Sequence, residues 1–211
     1  MREKITLVTG ANGEIGQELI KALSKNKNVK LVALDLHPIE NNITDLLYDK
    51  IIGNILDANL LEQIGSTYEI NEIYHLAALL STRSEFSPHM AHEVNVTGTL
   101  NMLTLAVEQS KSQGKAVKFF FPSSIAVYNT EGINGTIDEN SYCNPKTIYG
   151  QHKLFCENLG SAISTYGNET KLKIDFRCIR FPGIISANSL PTGGTSDYAP
   201  KMIHNAFKQK N

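Results

Sequence analysis

Short apolar runs alternate with longer amphipathic segments from one end of the chain to the other. Residues 5–9 form an apolar run that stops at Gly10. Behind it Ile15, Leu19, Ile20 and Leu23 recur at helical spacing, with Lys21, Lys25 and Lys27 between or after them. The pattern predicts a strand, a turn and a helix. A second strand is expected over 29–34, ending on Asp35, and a polar stretch follows from 37 to 45. A third lies near 50–54 and runs out at Asp57, with a helix over Ala58–Thr67. Residues 72–76 read as a buried strand followed by the small pair Ala77-Ala78, over which a ligand could lie. A long amphipathic helix is predicted from about 88 to 113, carrying Val94, Val96, Leu100, Leu103 and Val107. Strand 117–121, helix 146–166 and strand 172–180 complete the series, without internal repeats or low-complexity linkers. Alternating units of this length predict an α/β fold, a doubly wound parallel sheet with right-handed crossovers and helices on both faces. Ligands bind such sheets beyond the carboxyl ends of the strands.

The turn after the first strand carries the first candidate chemistry. Gly10, Gly13 and Gly16 stand at GxxGxxG spacing between strand and helix. Gly10 suits the tight turn, Gly13 lets backbone approach a phosphate, and Gly16 lets the helix sit close to the strand. Backbone N–H groups and the positive helix end then converge on one point, a site for a pyrophosphate. Asp35, at the end of the second strand, can accept both hydroxyls of an adenosine ribose and would repel a 2′-phosphate. It points to NAD over NADP.

Composition narrows the picture by exclusion. The chain has 211 residues, enough to bury a real core in one large or two small domains. A net charge of −1 gives no electrostatic reason to expect nucleic acid or an anionic membrane as partner. The first strand begins directly behind Met1-Arg2-Glu3-Lys4, and no apolar run reaches membrane-spanning length, so a cytoplasmic protein is expected. Cys143, Cys156 and Cys178 are odd in number, lack CxxC pairing and read as reduced thiols. His89-Met90-Ala91-His92-Glu93 inverts the order of a metalloprotease motif and lacks a third ligand, so no metal is expected.

The reacting groups lie further on. Strand 117–121 runs into Pro122-Ser123-Ser124, placing hydroxyls at the carboxyl edge of the sheet. Tyr149 and Lys153 stand four residues apart in the predicted helix 146–166 and share a face. A lysine ammonium beside a phenol favours the phenolate and lowers its pKa, and Ser124 can donate to the same substrate oxygen. Such a set can remove a hydroxyl proton while hydride leaves the carbon for a nicotinamide. Tyr142 and Lys146 repeat the spacing, but Pro145 between them argues against a shared helix face.

With Gly10, Gly13, Gly16, Asp35, Ser124, Tyr149 and Lys153 in place, the chain resembles the extended short-chain dehydrogenase/reductase family, also called the NAD-dependent epimerase/dehydratase family, over essentially its whole length. The runs from His75 to Ser81, Pro145 to Gly150, Phe176 to Ala187 and Pro191 to Ala199 look like its L-threonine 3-dehydrogenase branch. Ser124 and Ser196 stand where that branch often has threonine, Asn129 replaces a common glycine, and Thr82-Arg83-Ser84 is bulkier than usual.

The resemblance implies a Rossmann fold, with residues 1–185 as the NAD-binding domain and 186–211 as the start of a substrate-binding portion. Most of that portion is expected to lie beyond the end of this chain. It implies NAD contacts from Gly10, Asn12, Gly13, Glu14, Ile15, Gly16, Asp35, Asp57, Ala58, Leu76, Ala77, Ala78, Tyr149, Lys153 and Ile184. Ser81, Ser124, Tyr149, Gly194, Thr195 and Ser196 would surround a small-molecule substrate.

The expected reaction is NAD-dependent oxidation of the 3-hydroxyl of L-threonine to 2-amino-3-ketobutyrate. In it Tyr149 is the base, Lys153 depresses its pKa and holds the nicotinamide ribose, and Ser124 orients the oxygen. The alternatives are a nucleotide-sugar 4-epimerase using the same three residues and a non-catalytic or truncated NAD-binding protein. A dehydratase is disfavoured, because Ser124-Ile125-Ala126 offers no carboxylate. A homodimer through helices 88–113 and 146–166 is the expected assembly.

Overall fold

The computed structural model of the protein describes residues 2–128, 135–170, 174–184 and 198–208. Strand β1 (Glu3–Thr9) leads through the glycine turn into α1 (Glu14–Leu23), and β2 (Leu31–Asp35) follows. A short α2 (Asn41–Thr44), β3 (Asp49–Ile52), α3 (Ala58–Thr67) and β4 (Tyr68–His75) complete the first half. The second half runs through α4 (Ser81–Phe86), α5 (Pro88–His92), a π-helical turn (Glu93–Thr97) and α6 (Gly98–Gln113). It continues with β5 (Val117–Ser124), a 3₁₀ turn (Ile125–Val127), α7 (Ile148–Thr170), β6 (Ile174–Phe181) and α8 (Tyr198–Lys208).

All six strands are parallel, in the order β3-β2-β1-β4-β5-β6. The expected doubly wound fold is therefore present. The order reverses between β1 and β4, whose carboxyl ends are level, with Thr9 opposite His75. A crevice opens at such a reversal, and ligands bind there. Being central, β1 is covered on both faces, and Leu7 and Val8 point opposite ways yet are both fully buried.

One core cluster joins Leu7, Leu34, Ile73, Phe119 and Phe121 of the sheet to Ile64, Met102, Leu103 and Cys156 of α3, α6 and α7. A smaller one packs Val8 and Ala33 against Ile20 and Ile43 of α1 and α2. On the latter face of β4, β5 and β6, Tyr74, Phe120 and Phe181 form a half-buried aromatic row.

Three expectations need correction. The long helix over 88–113 is real only as a succession of α5, a π turn and α6. The π turn inserts one residue, which rotates the buried stripe. Met102, Leu103, Leu105 and Ala106 consequently face the core, while Leu100 is 42% exposed. The third strand ends at Ile52 rather than reaching Asp57, which instead caps α3 by accepting from Asn59 N at 3.0 Å and Leu60 N at 3.1 Å. The fourth strand begins at Tyr68, four residues before the apolar pattern starts, because Glu69 and Glu72 obscure its period. They pair with Lys115 and Lys118 at the edge of the hydrogen-bonded ladder.

Candidate active site

The glycine turn is built by backbone approach. Gly10 has φ +66°, and a Cβ there would come within 2.7 Å of Ala77 N and 2.8 Å of the Leu76 carbonyl carbon. Only glycine lets β1 turn this close to the end of β4. Leu76 N–H donates to Thr9 O at 3.1 Å, so Leu76, Ala77 and Ala78 emerge directly beside the turn. Gly13 is the N-cap of α1, and no side chain caps the helix there. Glu14, Ile15 and Gly16 are the first residues of that helix.

Asp35 lies where the sequence puts it. Its carboxylate accepts from Asn12 N–H at 3.0 Å and His37 N–H at 3.1 Å, tying the end of β2 to the glycine turn. Asn12 uses its side chain to hold the next segment, donating to Pro38 O at 2.9 Å and accepting from Glu40 N–H at 3.0 Å. A turn shaped by backbone with a carboxylate beside it matches the donor and acceptor sets of a pyrophosphate and a ribose, so the residues present fit a dinucleotide. Asp57 and Ala58 lie at the start of α3, with the Asp57 carboxylate engaged as a cap.

Ser124, Tyr149 and Lys153 come together at the carboxyl end of β5. Ser124 is the last residue of that strand, and its Oγ accepts from Ala126 N–H at 3.1 Å to start the 3₁₀ turn. The first turn of α7 packs onto this 3₁₀ turn through Gly150, where a Cβ would fall 2.3 Å from Ala126 O. A glycine immediately after Tyr149 therefore lets the helix that carries the tyrosine press against the turn that follows the serine. Tyr149 N–H donates to Glu85 of α4 at 3.2 Å. Tyr142, the rival tyrosine, is 82% exposed and precedes the helix altogether.

Lys153 is buried, with its Nζ 5.5 Å from the centroid of the Tyr149 ring and 4.6 Å from that of Phe121. It donates to Pro122 O at 2.6 Å. Burial pushes its pKa down to about 8, and burial pushes the Tyr149 phenol up to about 12. This corrects the expectation of a depressed phenol. The spacing does put both side chains on one face, but the ammonium lies over the ring and gives its hydrogen bond to a backbone carbonyl. Desolvation then dominates for both groups.

Ser81 opens α4, and Ile184 follows β6 at 38% exposure. Gly194, Thr195 and Ser196 lie outside the described residues, as does Asn129. Cys143, Cys156 and Cys178 are free thiols. Among the described residues no three His, Cys, Asp or Glu side chains could hold a metal ion, and no helix is long and apolar enough to cross a membrane.

Pattern reading missed two sets of residues around the site. One is the ion pair of Arg180 with Glu157, at 2.7 Å, one turn beyond Lys153, with Arg180 also donating to Tyr128 Oη at 2.5 Å. The other is the buried polar set Thr9, His75, Asn95 and Thr99. A histidine inside an otherwise apolar strand end was the available signal for the second.

Fold and site together define a dinucleotide-binding α/β protein with a serine, a tyrosine and a lysine gathered beside the binding crevice. The chain belongs to the NAD dependent epimerase/dehydratase family, whose pattern matches residues 6–211. It is 34% identical to the mitochondrial L-threonine 3-dehydrogenase of Bos taurus over 204 residues, 96% of this chain and 51% of that protein. Among solved structures it is similar to a monomeric L-threonine 3-dehydrogenase of metagenomic origin, with TM-score 0.82 and 39% identity, covering 96% of this chain and 61% of that one. The holo form of a threonine dehydrogenase from Cupriavidus necator gives TM-score 0.84 at 30% identity, covering 97% and 63%. The chain spans about half the length of the curated threonine dehydrogenases it matches.

Proposed function

We propose that this protein oxidises the 3-hydroxyl of L-threonine to 2-amino-3-ketobutyrate with NAD as the oxidant. The backbone of residues 10–16, Asp35 and the strand end at 76–78 would hold the dinucleotide, which when bound supplies the hydride acceptor. Tyr149 takes the proton of the substrate hydroxyl as C3 gives up its hydride. Ser124 fixes and polarises that oxygen. Lys153, with its Nζ over the tyrosine ring, would hold the nicotinamide ribose and set a positive charge beside the phenolate form of Tyr149.

The observation that carries this reading is the juxtaposition of Tyr149, Lys153 and the turn after Ser124 at the edge of the crevice. The similarity to threonine dehydrogenases, at TM-scores of 0.82 and 0.84, supports threonine as the substrate. A second reading, a nucleotide-sugar 4-epimerase, draws on the weaker likeness to MoeE5 solved with UDP-glucose and NAD, at TM-score 0.68 and 28% identity.

Absorbance at about 340 nm, where reduced nicotinamide absorbs, separates the two. NADH formation with L-threonine and NAD is the expected result. Interconversion of UDP-galactose and UDP-glucose without net NADH would replace threonine oxidation by the epimerase reading. NAD binding with neither reaction would leave a non-catalytic binder.

A further inference from the structure

A buried chain of hydrogen bonds runs from the glycine turn to the π turn before α6, and His75 is its centre. Ala77 N–H donates to Thr9 Oγ1 at 3.3 Å. Thr9 Oγ1 lies 2.9 Å from His75 Nδ1, and His75 Nε2 lies 3.1 Å from Thr99 Oγ1. Thr99 Oγ1 donates to the Asn95 carbonyl at 2.6 Å, and the Cys156 thiol donates to the same oxygen at 3.2 Å. The Asn95 side chain accepts from Leu79 N–H at 2.7 Å and donates to Leu79 O at 3.0 Å. Thr9, His75, Asn95 and Thr99 are all buried.

Counting hydrogens fixes the direction of the chain. A threonine hydroxyl has one proton to give. Thr99 gives its proton to Asn95 O, so it can only accept from the ring, and His75 Nε2 carries a hydrogen. Burial holds the ring neutral, driving its pKa down to about 3, and the Lys153 ammonium opposes any charge there. His75 Nδ1 is then an acceptor and takes the Thr9 proton. The oxygen of Thr9 remains free to receive Ala77 N–H. Every donor meets an acceptor in one sense only.

We propose that His75, as the neutral Nε2–H tautomer, is a positioning residue that couples the two anchors of residues 76–81. One anchor is Ala77, held through Thr9; the other is Leu79, held through Thr99 and Asn95. The consequence for function rests on the reading above, in which residues 76–78 meet NAD and Ser81 meets the substrate. A ring protonated on Nδ1 would donate to the second lone pair of Thr9 Oγ1 and turn the Thr9 proton away from its acceptor. The Thr9 oxygen that anchors Ala77 would then carry an unpaired proton, and the polarisation that runs along the chain would be broken at its middle.

The test uses the 211-residue chain in two measurements. Long-range ¹H–¹⁵N spectra of the imidazole should show Nε2 protonated, Nδ1 bare and no titration from about pH 5.5 to 8. A protonated Nδ1, or a ring titrating near 6.5, would overturn the proposal. Amide exchange is then followed in Thr9→Val and in Thr99→Val, which keep shape and remove one hydroxyl each. Each variant should lower protection of both Ala77 and Leu79 by on the order of tenfold, the scale of one buried hydrogen bond. Loss confined to the nearer anchor would show that His75 couples nothing.

NAD titrations of the same variants should give affinities weaker by roughly tenfold, whereas a purely structural role would shift the unfolding midpoint and leave NAD affinity at the wild-type value. A wild-type chain that shows the tautomer and the coupled exchange but binds no NAD would sink the proposed function and leave the coupling standing.

Discussion

Tyr149 is where the chemistry and the electrostatics pull against each other. In the proposed reaction it must be ionised to take a proton, yet burial raises its phenol to about 12. Below a raised pKa the phenolate fraction grows about tenfold per pH unit. The rate of threonine oxidation should therefore climb through neutral pH and peak on the alkaline side, falling where Lys153, with its pKa near 8, gives up its charge. A kcat/KM profile already flat by pH 7 would show that the phenol is depressed in the working enzyme. Replacing Tyr149 with Phe should leave NAD affinity near wild type and lower turnover by roughly 10²–10⁴-fold, because only the proton acceptor is removed. Tyr142→Phe should change neither, since that ring is exposed and off the helix. Asp35 acts at the same scale. Asp35→Ser should narrow the preference for NAD over NADP in binding titrations. It should also weaken NAD itself, because the carboxylate ties Asn12 N–H and His37 N–H to the turn. Equal affinity of the unaltered chain for both cofactors would remove that role.

At the scale of elements, α3 separates a structural reading from a cofactor reading. Asp57 caps this helix through Asn59 and Leu60 N–H, so Asp57→Ala should destabilise the fold by about 1 kcal/mol, read as a lower urea midpoint at unchanged slope. Asp57→Asn keeps a capping oxygen and removes the charge. If the carboxylate also serves NAD, the asparagine variant will keep its stability and lose affinity. If it serves only as a cap, both will stay at wild type. The π turn before α6 belongs to this scale too. It places Asn95, whose amide clamps Leu79, and Thr99, against which His75 rests, on one side of a helix that an unbroken 3.6-residue period would have turned elsewhere.

The whole molecule should register both the cofactor and pH. NAD that binds only the folded state raises its stability by about 2.7 kcal/mol at a concentration 100 times Kd. Thermal unfolding of this chain should therefore shift upward with NAD alone, without threonine, and an unmoved midpoint at saturating NAD would contradict a preformed site. Acid acts through His75. Its folded pKa is about 3 against 6.5 for the free side chain. Between those values the unfolded chain binds a proton that the folded one refuses. This contribution is fully present above pH 6.5 and is lost as pH falls towards 3. From pH 7 to pH 5 the loss is about 2 kcal/mol. Urea unfolding at the two pH values measures it. His75→Gln, which cannot titrate, should flatten most of the dependence, whatever its stability at pH 7.

The placement of the candidate site residues was legible in the sequence because it depends on short-range spacing. Three glycines between an apolar run and an amphipathic helix, an acid at the next strand end, and Tyr149 four residues before Lys153 each need only the geometry of one turn. The alternation of elements determined the parallel, doubly wound sheet in the same way, since crossover connections allow few other arrangements. What tertiary structure decided were the quantities that depend on neighbours distant in sequence. Burial from β5 and α7 set the protonation of Tyr149 and Lys153 against the trend expected from the pair alone. Cross-strand pairing of Glu69 and Glu72 hid the start of β4 from any periodic reading. The partners of His75 come from β1 and α6, 66 and 24 residues away, and spacing along a chain carries no trace of contacts that only packing creates.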